Sequence, residues 1–144
     1  PGGLFKLHIQ VFAGDGTTYK PGVGLLFLQV VKGWVDEDGL AWEPVYVVAG
    51  DTDNGAQAVE ETCEVTGEGL TEICVTWEDP DFLEEQHGFY YARVLENPTC
   101  RWSTRQCNTM DLEERPESCD DPSVDKVVQQ RAWSSPIWYA PEGT

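Results

Sequence analysis

LFKLHIQVFA, residues 4–13, decides the fold class: Phe5, Leu7, Ile9 and Val11 fall on one side of an extended chain, and Lys6, His8 and Gln10 on the other. A period of two marks a strand with one buried face. The next stretch, GDGTTYKPGVG at 14–24, is almost entirely turn and linker chemistry and isolates that first strand. Beyond it, LLFLQVVKGWV (25–35) and LAWEPVYVVA (40–49) flank DEDG, a hairpin signal that places Gly39 at positive φ. GDTDNG (50–55) is a polar loop, and CEVTGEGLTEIC (63–74) reads as a hairpin around Gly67 and Gly69. A Pro-broken corner, WEDPDF, leads into FYYARVLE (89–96), the most strand-like segment of the chain. Residues 97–126, rich in Pro, Asp, Glu and Cys, keep no period and read as a long loop with one helical turn near 109–115. VVQQRAWSSPIWYA (127–140) is the last strand, with Pro136 marking an edge or a bulge.

About seven short strands, regularly spaced turns and no amphipathic helix predict an all-β sandwich. FYYARV, a long loop and then RAWSSPIWYA resembles the last two strands of an immunoglobulin-like or fibronectin-type fold. The chain divides into an N-terminal strand and linker, 1–24, and a sandwich domain, 25–144.

Acidic residues outnumber basic ones 26 to 9, for a net charge of −17. Such a surface repels phosphate backbones and anionic membranes, which argues against nucleic-acid binding. No apolar run approaches the roughly 18 residues that suggest a membrane span. The chain begins at Pro1 rather than Met, the expectation being a removed leader or a longer protein.

Five cysteines, Cys63, Cys74, Cys100, Cys107 and Cys119, lack any C-x-x-C pair, and only His8 and His87 could add imidazole ligands. Disulfides in an oxidising compartment explain them better than zinc does, so an extracellular or cell-surface address is expected. Pairing Thr66 with Thr71 across the hairpin sets Cys63 opposite Cys74, on the outer surface, and predicts that bridge. Cys107–Cys119 is the second expected pair, leaving Cys100 free or shared with another chain.

No catalytic constellation emerges. The two histidines have no acidic partner at ligand spacing, and nucleophile elbows, P-loops and dinucleotide fingerprints are missing from the sequence, so no enzyme activity and no cofactor are expected. Asp51, Asp53 and Asn54 before Gly55 follow the start of a calcium loop but lack the later bidentate Glu at its spacing; ordinary turn chemistry explains them equally well. Trp34, Trp42, Trp77, Trp102, Trp133 and Trp138 are read chiefly as core and loop-packing residues, with a glycan-stacking platform as the alternative. Trp102, beside Arg101 and Arg105, is expected to anchor the long loop.

LQVVKGWVDEDG, VYVVAG, TWEDPDF, FYYARVLENPTCRWSTRQC and QQRAWSSPIWY, in this order, resemble the C-terminal end of a bacterial family called domain of unknown function three-six-zero-four, over roughly Phe27 to Tyr139. The resemblance implies longer secreted proteins whose body looks like a metal-dependent hydrolase. The ligands of that body lie upstream of the matched part, so no catalytic residue carries over.

Two roles are therefore expected. In the first, this is a structural subunit that assembles head-to-tail with copies of itself, donating Phe5, Leu7, Ile9 and Val11 to a neighbour's sheet edge. Burying those four side chains is worth about 1.5–3 kcal/mol each, so the strand must dock somewhere. In the second, the chain is an accessory sandwich module of a larger secreted hydrolase. A calcium- or glycan-binding module is the remaining alternative.

Overall fold

A computed structural model describes residues 4–18 and 22–141. Part of the expected linker, 19–21, and the ends of the two expected domains, 1–3 and 142–144, lie outside the described residues. In chain order the elements are β1 (Lys6–Phe12), β2 (Leu25–Val35), β3 (Ala41–Trp42), β4 (Val45–Gly50), β5 (Gln57–Ala58), β6 (Val65–Thr66), β7 (Glu72–Glu78), β8 (Gly88–Glu96), β9 (Thr99–Cys100), helix α1 (Trp102–Asn108), a 3-10 turn (Glu117–Cys119), β10 (Val127–Val128), β11 (Arg131–Trp133) and β12 (Ile137–Tyr139). The fold is an all-β sandwich, as its alternating segments predict.

The larger sheet is built on β2. It pairs with β8 on one side and with β3 and β4 on the other, and β11 and β12 add to the far edge of β8; every ladder is antiparallel. The near-continuous apolar run LLFLQVV suits a central strand, and Leu28, Val30 and Val31 are fully buried. The smaller sheet is β1 against β7, in register from Lys6↔Glu78 to Phe12↔Glu72. Its inward side chains close the core. Ile9, Val11, Ile73 and Val75 pack with Leu25, Leu28 and Val94, while Leu7 and Trp77 pack with Val30 and Tyr90. Phe5 stacks on Tyr90 with ring centroids 4.2 Å apart.

The N-terminal strand thus pairs within the sandwich of its own chain. Ala13 N donates to Thr71 O at 2.8 Å at one end, and Asp79 N donates to Phe5 O at 3.0 Å at the other. With both ends tied to the home sheet, Phe5, Leu7, Ile9 and Val11 reach a core within their own chain.

The predicted Cys63–Cys74 bridge is corrected. Cys63 is joined to Cys100, Cα atoms 5.5 Å apart, and Cys74 is free and exposed; Cys107–Cys119 forms as expected. Residues 63–74 do not fold on themselves, because each half has a better partner elsewhere. Val65–Thr66 pairs with Gln57–Ala58, Leu70 bridges Leu25, and β7 pairs with β1. Cys63 takes a left-handed backbone, φ 58°, in a turn where its N–H donates to Val59 O at 2.7 Å, and there it meets β9. The helix lies at 102–108, ahead of the expected 109–115; Cys107–Cys119 closes a loop within this region, and Cys63–Cys100 ties its start to the turn after β5.

Candidate functional site: an aromatic face on the larger sheet

The alternation of β8 sends Tyr90, Ala92 and Val94 into the core, so Phe89, Tyr91 and Arg93 point away from it. Their neighbours across the ladder follow the same parity: Gly33, Val31 and Gln29 on β2, and Val45 and Val47 on β4. On the other flank Trp133 pairs with Arg93 and Trp138 with Phe89. The outer face is therefore a row of aromatic and β-branched side chains with Gln29 and Arg93 at one end, where Arg93 Nε donates to Gln29 Oε1 at 2.8 Å. Much of this face is open to water, with Trp138 74% exposed, Trp133 58% and Val47 50%. A contiguous apolar area rimmed by polar groups is the usual mark of an interaction surface, whereas scattered single residues are not.

Two depressions shape the face. A groove of about 340 Å³ runs between Phe89, Tyr91, Trp133, Pro136 and Trp138. A second cleft of about 580 Å³ lies over Gly33 and Gly88, lined on this face by Glu43, His87, Phe89 and Trp138. Gly33 is required there. A Cβ at this position would sit 2.1 Å from the Phe89 ring, so the bare backbone lets that ring lie flat across β2. The Phe89 and Tyr91 rings lie 6.3 Å apart and only 6° off parallel. On the opposite side of β2, beside Lys32, Trp34 and Trp42 stack at 6.4 Å, and Trp42 Nε1 donates to Asp36 Oδ2 at 2.7 Å. That bond, with further donation from the Leu40 N–H, holds the Asp36 carboxyl below its ordinary pKa. Burial, and then the bond it donates to Glu43 at 3.2 Å, raises the Tyr91 hydroxyl.

Of the residues singled out in the sequence, Phe5, Leu7, Ile9 and Val11 lie in or against the core between the sheets, away from this face. Asp51, Asp53 and Asn54 serve their loop: Asp51 Oδ1 accepts from Asp53 N at 3.0 Å, and the Asn54 amide binds Glu68 O and Asn97 Oδ1. Among the described residues no group of three or more His, Cys, Asp or Glu side chains is placed to hold a metal ion. His8 Nδ1 lies 2.9 Å from Thr76 Oγ1 on the outer side of the small sheet. Trp77 is a core residue, Trp34 is half-buried, and Trp102, expected as an anchor, is exposed on α1. The aromatic face was missed as a unit because its members come from five strands distant in sequence. The available signal was the parity of FYYARV: one register buries Tyr90 and commits Phe89 and Tyr91 to the opposite side.

Among the described residues no helix is long and apolar enough to cross a membrane. The two disulfides point to an oxidising environment. A family model described as Protein of unknown function (DUF3604) matches residues 21–141 of the 144-residue chain. No curated protein and no solved structure matches it.

Proposed function

The chain belongs to the DUF3604 family, and from that premise we propose that it is a non-catalytic β-sandwich module of a larger secreted protein, docked on the body of that protein through its aromatic face. The observation that carries this reading is the exposure of Trp133, Trp138, Val45 and Val47 on one side of a sheet whose other side is a complete core. A free-standing sandwich has no need of such a side, since exposed apolar area of this kind promotes association. The resemblance to the C-terminal end of longer, hydrolase-like proteins names the occupant: a folded body in the same polypeptide. The address that goes with this reading is extracellular.

Head-to-tail assembly by strand donation is the weaker reading, because β1 already pairs along its whole length with β7 of its own chain. The test is binding in trans. The purified chain, added to a longer family member from which the equivalent of residues 21–141 has been deleted, should form a one-to-one complex, and Trp133→Ser with Trp138→Ser should abolish it. Failure to bind, together with polymers that vanish on deleting residues 4–13, would favour assembly instead.

A further inference from the structure

We propose that Lys32 and Asp79 join covalently: the Lys32 amine condenses with the Asp79 carboxyl to an amide that crosslinks β2 to the corner after β7. This goes beyond the docking role and does not rest on it, since the pair lies on the core side of the larger sheet. Lys32 Nζ is 2.7 Å from Asp79 Oδ2, and the two side chains are 3% and 0% exposed. The rings of Trp34 and Tyr90 lie 5.0 and 5.9 Å from the same nitrogen. Asp81 O accepts from it at 2.7 Å and so fixes its position. The carboxyl is held as firmly. Asp79 Oδ1 accepts from Asp81 N at 2.9 Å, and Oδ2 accepts from the Tyr90 hydroxyl at 2.7 Å. With Nζ in contact with Oδ2, the carboxyl carbon is one C–O bond further on. Groups held this way react as if at an effective concentration of about 10⁵–10⁸ M.

The ion pair is the state from which the bond forms, and removal from water favours the step. Two charges buried together lose hydration that their attraction only partly offsets, so the setting favours neutral amine and acid. One proton passes from Nζ to Oδ2 along their hydrogen bond, which frees the nitrogen lone pair and turns the carboxylate into an acid. The lone pair attacks Cγ. Negative charge gathers on Oδ1, where the Asp81 N–H already donates. The nitrogen then gives up a second proton, and the Tyr90 hydroxyl relays it to Oδ2. The Cγ–Oδ2 bond breaks, Oδ2 leaves as water, and the new C–N bond is an amide with one N–H. Ammonium and carboxylate give amide and water, so no oxidant, activating group or co-reactant is needed. Pro80 and Asp81 are exposed at the corner, which gives the water a short way out. Lys6 and Glu78 make the same contact at the surface, 43% and 50% exposed, where water stabilises both ions and the pair stays ionic.

The test is the intact mass of the purified 144-residue chain, taken after both disulfides have been reduced. The chain should weigh one water molecule less than its sequence requires. Protease digestion with tandem fragmentation should give a branched peptide that joins Lys32 to Asp79, with Lys6 unlinked. Lys32→Arg, which keeps the charge but supplies no nucleophile, should restore the full mass, and Asp79→Ala should do the same. The unsubstituted chain decides the matter even if neither variant folds. Full sequence mass in protein with intact disulfides and native near-ultraviolet dichroism would overturn the proposal. So would a loss of water that persists in Lys32→Arg, or one that maps within a single peptide, as an aspartyl succinimide would.

Discussion

Lys32 Nζ lies 2.7 Å from Asp79 Oδ2, and both side chains are cut off from water, 3% and 0% exposed. The pair ties the middle of the central strand to the Pro-broken corner after β7. Tyr90 donates to the same Asp79 oxygen at 2.7 Å, Lys32 also donates to Asp81 O, and Tyr46 donates to Asp81 Oδ2 at 2.8 Å. Removing one charge of a buried pair leaves the other uncompensated, at a cost of about 3–5 kcal/mol. Asp79→Asn should therefore lose about that much in urea unfolding, while adding Lys32→Met to it should restore a large part. A single substitution costing under about 1 kcal/mol would mean that water reaches the pair.

The same network makes the fold sensitive to alkali. Burial, reinforced by the bond to Asp81 and its charge, raises the Tyr46 hydroxyl to about 12, and burial with the Asp79 bond raises Tyr90. An unfolded tyrosine loses its proton near pH 10, before either folded one does. The unfolded state then binds fewer protons, so stability should be intact below about pH 10 and fall as pH rises toward 12. Tyr46→Phe should make that fall shallower. Equal slopes for the two proteins between about pH 10 and 12 would show that Tyr46 titrates alike in both states.

Peptide mapping without reduction should find Cys63 joined to Cys100 and Cys107 to Cys119, and an alkylating reagent should modify Cys74 in the native protein. On the loop-entropy account, the 37-residue separation of the first pair is worth about 4 kcal/mol and the 12-residue separation of the second about 3. Cys63→Ser with Cys100→Ser should thus be the more destabilising double change. A Cys63–Cys74 peptide would restore the local hairpin register.

What local pattern dictates was legible, and what competition between distant partners decides was not. The parity of LFKLHIQVFA places Leu7 in the core and Lys6 on the surface whichever sheet receives the strand, and the DEDG turn does put Gly39 at φ 81°. The choice of β7 as partner depends on a ladder between residues sixty or more positions apart, beginning with Phe12↔Glu72. The same ladder removes β7 from the hairpin that Cys63–Cys74 needed, so one unseen pairing undid the expected bridge. Trp133 and Trp138 could not be told from core residues by type, because that depends on a second sheet that covers only the opposite side.

Gly33→Ala tests the geometry of the outer face. The added methyl group would meet the Phe89 ring at 2.1 Å and force it off β2, and overpacking of this kind costs about 1–3 kcal/mol. Trp138→Ser, at an exposed position, should change stability by no more than about 0.5 kcal/mol. The expected order, with glycine the more sensitive, reverses if Phe89 does not rest on Gly33.

The most direct measurement of the central claim is backbone hydrogen exchange on β4, β8 and β12, made on the free chain and on its complex with the remainder of a longer family protein. Docking through the aromatic face predicts slower exchange at Val45–Gly50, Gly88–Glu96 and Ile137–Tyr139 in the complex, with Lys6–Phe12 unchanged because β7 already protects it. Protection confined to Lys6–Phe12 and Glu72–Glu78, with the aromatic strands exchanging as before, would contradict it.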